Sequence, residues 1–354
     1  MSDTKRRLVE VFERQIGWCE ALGSPLYVQL LTVARDDIAR SGIVHDIVRD
    51  AADDPLAAAV SLRLMAGVHR LVLMGLAERL ASHYPSVGGT PDPATVGEDF
   101  MDVVAAHPGY LRDGLRVAPQ TNDVGRSALL LAGLASALDG RRMKVRLLGL
   151  GSAGGLNLLL DRYRYDFDGT PWGDPTSPVR IATTSKGSMP KLPGSLRIVE
   201  RRGCDVNPMD ITDPEAQLRL LSFIWPDQAE RFARTRGAIS LAQVDPPIVD
   251  RADAAEWLAA RLDEPTPPNV MTVVQHSVMW QYLPATTQDD LRSVIGSAGE
   301  GATRRRPFAH VSFEPSRAPT ERGGLDLTVT VWPHGVPAVI ADAHAHGRWI
   351  DWTG

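Results

Sequence analysis

The stretch from Val145 to Asp161 constrains the fold most. It reads Val-Arg-Leu-Leu-Gly-Leu-Gly-Ser-Ala-Gly-Gly-Leu-Asn-Leu-Leu-Leu-Asp: an apolar run broken by Arg146, glycines at 149, 151, 154 and 155, then the helix formers Leu156, Leu158, Leu159 and Leu160. Strand, glycine turn and helix in that order open an α/β unit. A helix that begins at such a turn aims unpaired backbone N–H groups and its positive dipole end at whatever occupies the loop. Glycine lets a ligand approach backbone that a Cβ would shield. Gly149-x-Gly151-x-x-Gly154 is therefore read as the nucleotide side of a cradle, with Ser152 and Asn157 as its polar side chains.

The bulk numbers bound what surrounds this stretch. A chain of 354 residues buries a full core and predicts two structural units. It is 44% apolar and 23% charged, an ordinary globular balance. The net charge is −5, and no basic run exceeds a triplet such as Arg304-Arg305-Arg306, which disfavours nucleic acid as a main partner. Cys19 and Cys204 form no disulfide framework and no Cys-x-x-Cys, which fits a reducing cytoplasm. The start, Met-Ser-Asp-Thr-Lys-Arg-Arg, leads into an amphipathic helix and not a signal region. The longest apolar run, Ala128 to Leu138, is too short to span a bilayer. A cytoplasmic protein acting on a small molecule, with no membrane partner, is expected.

Residues 1–140 read as a helical domain and residues 141–354 as an α/β domain with an insertion at about 161–195. Leu8, Val11, Phe12, Ile16 and Cys19 share a helical face, as do Leu26, Leu30, Leu31, Ala34 and Ile38 after Ser24-Pro25. Asp53-Asp54-Pro55 signals a further helix start, and Leu62, Met65, Val68 and Val72 continue a face towards Leu76 and Leu80. After Gly140, strand-like runs appear at Val145–Leu148, Val179–Thr183, Leu196–Val199, Ile248–Val249, Val270–Gln275, Ala309–Phe313 and Leu327–Val331. Helical runs between several of them imply a mostly parallel sheet covered on both faces. Leu327–Trp332, Pro333-His-Gly335 and Ala338–Ala341 predict a closing β-hairpin. The Pro/Gly/Ser-rich segment 169–195 is expected to be a mobile, lid-like loop.

From Val145 onward the order resembles a class I S-adenosylmethionine-dependent methyltransferase, a Rossmann-like doubly wound sheet that closes on an antiparallel hairpin. The residue before the first glycine, acidic in most of those enzymes, is Leu148 here. Longer strings resemble the bacterial DUF2332 proteins over nearly the whole chain: Gly151 to Tyr165, Arg202-Gly-Cys-Asp-Val-Asn-Pro-Met-Asp210, Trp225-Pro226, Gln120 to Arg126, and His344-Ala-His-Gly-Arg-Trp349. That resemblance implies a methyltransferase-like fold and names no activity.

Site residues follow from position. Asp205, after the second strand of the α/β domain, is the candidate for ribose hydroxyls, against pairing with Arg201 or Arg202 or capping the next turn. Asp253 is placed where the methyltransferase resemblance implies an acid facing the adenine amino group, and it also suits an N-cap; Asp250 competes with it. Asp245-Pro-Pro-Ile248 reads as a helix stop. His276 and Glu314 fall at the ends of neighbouring strands, where ligands collect, and form a candidate catalytic pair. Gln120, Asn122 and Arg126 are candidates for substrate contacts and for the ammonium handle that Leu148 does not supply. Arg63 and His69 could join them, although core burial suits His69 better. His344-x-His346 places two imidazoles on one side of a strand, but two ligands do not complete a site and no metal is assigned.

The leading expectation is a methyltransferase with S-adenosylmethionine as cofactor and a small or medium polar acceptor. The competing readings are a nicotinamide-dependent oxidoreductase, for which the cradle is equally suited, and a non-catalytic ligand-binding protein on the same fold.

Overall fold

The computed structural model describes residues 3–52, 59–116, 118–316 and 324–353. The start signal at Asp53-Asp54-Pro55 lies outside them. In chain order the helices α1 (Asp3–Leu22), α2 (Pro25–Arg40), α3 (Ile43–Val48), α4 (Val60–Leu73), α5 (Glu78–Ala81), α6 (Val96–Ala106) and α7 (Pro108–Gly114) come first. Helix α8 (Ser127–Leu138) and strand β1 (Lys144–Leu150) follow. Then come β2 (Arg164–Phe167), β3 (Thr170–Gly173), β4 (Arg180–Lys186), β5 (Arg197–Asp205), α9 (Pro214–Ser222), α10 (Ala229–Val244), β6 (Ile248–Arg251) and α11 (Ala254–Leu262). The chain continues through β7 (Val270–Ser277), α12 (Ala285–Glu300), β8 (Phe308–Pro315), β9 (Leu325–Trp332), β10 (Ala338–Ala343) and β11 (Trp349–Trp352). The chain divides into two compact units, Met1–Thr121 with Asp213–Arg236, and Asn122–Thr212 with Gly237–Gly354. Among the described residues no helix is long and apolar enough to cross a membrane.

The first unit is helical. Leu8, Phe12, Ile16 and Cys19 of α1 and Leu26, Leu30, Leu31, Ala34 and Ile38 of α2 are buried in one core with Val60, Leu64, Met65 and Val68 of α4. The apolar pattern of α4 does not run on to Leu76: the chain turns at Gly75, with φ +73°, and Leu76 is exposed while Leu80 is buried in the separate α5. The segment 213–236 belongs to this unit for a visible reason. Asp227 accepts hydrogen bonds from Ser24 Oγ at 2.6 Å and from the Leu26 amide at 3.1 Å, satisfying donors at the start of α2. Within the same unit His69 is buried, bonded to the Ser222 carbonyl and to Ser86 Oγ.

The second unit is built on one sheet of eleven strands among the described residues, in the order β3-β2-β4-β11-β10-β9-β8-β7-β1-β5-β6. Strands β8, β7, β1, β5 and β6 are mutually parallel, and β8 to β11 are antiparallel in sequence, with β9 and β10 forming the expected hairpin. Helices α11 and α12 bury Leu258, Leu291 and Ile295 against Leu148, Leu150, Val274 and Phe308. Helix α8, apolar on every side, covers the other face, where a Cβ on Gly133 would stand 2.5 Å from Val311. Buried Arg146, the one break in the β1 apolar run, is held by Glu200 and Glu264, each at 2.8 Å.

Two local expectations change. The segment 169–195 contains β3 and β4, and Ile181 and Thr183 alternate inward on β4. After the glycine turn the segment Leu156–Arg162 forms two short 3₁₀ turns that meet at a kink at Leu159 (φ −91°, ψ 17°), and no α-helix. Side chains take the carbonyls there: Tyr163 Oη donates to Leu156 O, Tyr165 Oη to Leu160 O (each 2.6 Å) and Arg201 to Leu158 O. Those carbonyls would otherwise accept the i+4 amides of an α-helix.

Candidate functional site

The glycine turn is closed largely by its own chain. Gly151 and Gly155 have φ of +59° and +74°, a region open to glycine. Ser152 N donates to Cys204 O, Ala153 N to Asp205 Oδ2, Gly155 N to Ser152 O and Leu156 N to Asn122 Oδ1, all between 2.7 and 2.9 Å. Gly149 and Gly203 leave room for the Ser152 hydroxyl, which would stand 2.6 and 2.3 Å from a Cβ at those positions. A Cβ at Gly151 would meet Met279 Cβ at 2.9 Å, so Met279 covers the turn. What remains is a cavity of about 30 Å³ lined by residues that include Asn122, Gly149, Gly151, Ser152, Asn157, Gln275 and His276. That is room for about one water.

The ends of β7 and β8 supply the titratable groups. Parallel register sets His276 beside Ser312, so His310 and Glu314 flank it on the same face. His276 Nδ1 donates to Glu314 Oε1 at 2.7 Å, and its Nε2 lies 2.9 Å from His310 Nε2. Burial, with His276 beside it, lowers the His310 pKa to about 3, so that ring is neutral. Trp280 stacks on His276 with ring centroids 5.2 Å apart. Glu314 Oε1 also accepts the Met279 amide at 3.1 Å. Val278, just before, has φ +53°, a strained setting for a β-branched residue. Two acceptors here, Gln275 Oε1 and Glu314 Oε2, are buried without a hydrogen-bond partner.

The polar string from 122 to 126 meets this rim. Asn122 closes the glycine turn, and Arg126 donates to the Ser277 carbonyl at 3.4 Å and the Ala345 carbonyl at 3.0 Å. Asp123, with its side chain fully buried, accepts from the Gly125 amide and from His346 Nδ1. His344 and His346 lie in the turn that follows β10 and not on a strand, and His344 Nδ1 accepts the His346 amide. Among the described residues no group of three or more His, Cys, Asp or Glu could hold a metal ion.

A family model described as "Uncharacterized protein conserved in bacteria (DUF2332)" matches residues 9–352. The chain belongs to the DUF2332 family. No curated protein and no solved structure matches it.

Within this DUF2332 chain the expected site residues divide into three groups. Gly149, Gly151, Ser152, Gly154, Asn157, Asp205, Asn122, Arg126, His276 and Glu314 gather at the carboxyl ends of β1, β5, β7 and β8. Asp205 spends one oxygen on the Ala153 amide and the other on the Asn207 amide, closing the turn onto β5. Asp253 caps α11, accepting from the Ala255 and Glu256 amides, while Asp250 takes Arg202 in a two-point pair and Trp257 Nε1; Arg202 holds its carboxyl below the usual range. Gln120 is half-buried in the first unit. Burial pushes the Cys204 thiol up to about 12, which keeps it unreactive. Sequence reasoning passed over Gln275, His310, Met279, Trp280 and the Asp123–His346 pair. The period of two along β8, which sets His310 on the face of Glu314, was the signal for His310; the last pair joins residues 223 apart and carries no local signal.

Proposed function

We propose that the chain binds S-adenosylmethionine on a Rossmann-like, methyltransferase-type sheet and transfers methyl to a small or medium polar acceptor. Strand order carries the reading. Taken in chain order, the parallel strands β1, β5, β6, β7 and β8 lie third-second-first-fourth-fifth across the sheet. The order therefore reverses between β1 and β7, and ligands of open α/β sheets collect at that point. The glycine turn follows one of these strands and His276 ends the other.

The chemistry of the donor set supports the ligand. Buried Gln275 Oε1 and Glu314 Oε2 are acceptors awaiting N–H or O–H groups. Gln275 is paired in register with Gly149, so it offers an acceptor for the methionine ammonium where Leu148 supplies no carboxylate. Asp205 is the candidate for ribose and Asp253 for adenine. The volume requires a movement: a ligand of this size needs roughly 300 Å³ or more, so the segment 278–282 must release Gly151. Strain at Val278, worth about 1–3 kcal/mol, favours that release.

Bound there, S-adenosylmethionine would supply an electrophilic methyl for the acceptor's nitrogen or oxygen, with S-adenosylhomocysteine as the product that departs. Glu314 Oε2 takes the acceptor's proton. The His276 Nδ1–H holds the other carboxylate oxygen, and His310 fixes the His276 ring. Such a positioned base contributes roughly 10²–10⁴ in rate. The nicotinamide reading has less support, because the amides a pyrophosphate needs are already bonded within the turn.

Isothermal titration with S-adenosylmethionine and S-adenosylhomocysteine tests the reading. Submillimolar binding, tightened by Met279→Ala, is expected. No heat at millimolar ligand would remove it, and quenching of NADH fluorescence in its place would favour the oxidoreductase.

A further inference from the structure

A second cavity lies wholly within the helical unit, between α4, α7 and the end of α9. It measures about 220 Å³ and is lined by Arg63, Arg70 and Arg219, with Tyr110, Asp113 and Phe223 among its other walls. At about 30 Å³ per water, that is room for about seven waters or a small aromatic acid. Three guanidiniums face it against one lining carboxylate. Arg63 is 1% exposed and donates to the Leu115 carbonyl. Arg70 pairs with Glu215, and Asp113 has Arg116 nearby at 4.0 Å. Arg219 makes no ion pair among the described residues.

The decisive observation is the state of the donors. The Nε atoms of Arg70 and Arg219 are both buried and make no hydrogen bond. A buried charged donor without an acceptor is costly, and native structures seldom keep two at one place without a use. Guanidinium forks match planar or tetrahedral oxyanions. Tyr110 and Phe223 add aromatic wall beside them, and Gly114 leaves open space, since a Cβ there would meet nothing within 4 Å.

We propose that this cavity binds a small organic oxyanion, a carboxylate or phosphate carried on an aromatic or apolar body. The head group pairs with the guanidiniums of Arg70 and Arg219 that line the cavity, beside the buried charge of Arg63, and the body lies against Tyr110 and Phe223. The cavity belongs to the helical unit and the glycine turn to the other.

The test uses the full chain at constant ionic strength, titrated with phenyl phosphate, benzoate and neutral benzamide. At least one anion binds at millimolar concentration or tighter, and benzamide binds at least tenfold more weakly. The anion that binds more tightly assigns the head group. Arg219→Gln and Arg70→Gln each weaken binding at least tenfold while Gly151→Ala leaves it unchanged. In the unmodified protein the ¹H–¹⁵N resonances of Arg70 and Arg219 Nε shift on titration, a readout that survives any misfolding of the variants. No binding at tens of millimolar, equal binding of benzamide, or still Nε resonances would each overturn the proposal.

Discussion

His276 Nδ1 and Glu314 Oε1 stand 2.7 Å apart, and the same carboxylate oxygen accepts the Met279 amide at 3.1 Å. One oxygen thus ties the buried imidazole to the segment that covers the glycine turn. Removing the carboxylate loosens both.

Glu314→Ala is therefore expected to speed amide exchange at Met279 by about tenfold, the equivalent of one hydrogen bond of about 1.4 kcal/mol. Glu314→Gln keeps a carbonyl oxygen for that amide and changes exchange much less. Hydrogen exchange followed by NMR or mass spectrometry separates the two. Equal exchange in both variants would show that the carboxylate does not hold the segment.

Gly151 and Met279 make the second relationship. Gly151→Ala must adopt φ +59° and press a methyl to 2.9 Å from Met279 Cβ. The left-handed conformation alone costs about 1–2 kcal/mol. Urea unfolding should show a total loss of about 2–3 kcal/mol for Gly151→Ala, with the contact adding to the conformational cost. Pairing it with Met279→Gly should return the contact part and leave the conformational part, a non-additivity that the double-mutant cycle measures.

Acid sensitivity follows from two buried histidines. Burial lowers His69 to about 4 and His310 to about 3, from an ordinary 6.5. Both rings are neutral in the folded chain, while in the unfolded chain each takes a proton below about pH 6.5. The unfolded state then binds more protons, so stability is full above that pH and is lost as pH falls towards the folded values. At pH 5 the loss is about 2 kcal/mol for each ring. His69→Gln cannot titrate, so between pH 7 and pH 5 it should lose about 2 kcal/mol less than the unmodified protein in urea unfolding. An unchanged pH slope would refute the assignment of a neutral His69.

Much of this architecture is legible in local chemistry. Alternating or continuous apolar runs mark β1, β6, β7, β8, β9 and β10, because strand faces repeat every two residues. The cap signal at Asp253 likewise matches the start of α11. Strand β2 carried the same alternation, with Tyr165 and Phe167 inward, but its four residues sit among turn formers. The 3₁₀ turns after the glycine turn were not legible. Leu156 to Leu160 are good helix formers, and the groups that divert their carbonyls, Tyr163, Tyr165 and Arg201, act through tertiary contact. At the candidate site, position along the strands pointed to His276 and Glu314, whose side chains meet. Nothing local in the chain reveals that Met279 covers Gly151, since that contact depends on how the 278–282 segment folds back.

Asp123 and His346 offer a test of the rim that the sequence did not suggest. The Asp123 side chain is fully buried, and it accepts from both the Gly125 amide and His346 Nδ1. Asp123→Ala takes the carboxylate acceptor from that amide and that ring nitrogen, which costs about 2–6 kcal/mol at about 1–3 kcal/mol per group. His346→Ala removes one partner of the carboxylate and should cost less, since the Gly125 amide keeps its acceptor. In a cycle of the two single variants and the double variant, a coupling of about 1–3 kcal/mol is expected. Because Arg126 reaches the Ala345 carbonyl and the Ser277 carbonyl from the same turn, Asp123→Ala should also raise hydrogen exchange at 344–347, with Asp123→Asn raising it less. Additive single losses with unchanged exchange would show that the pair does not anchor the C-terminal turn to this rim.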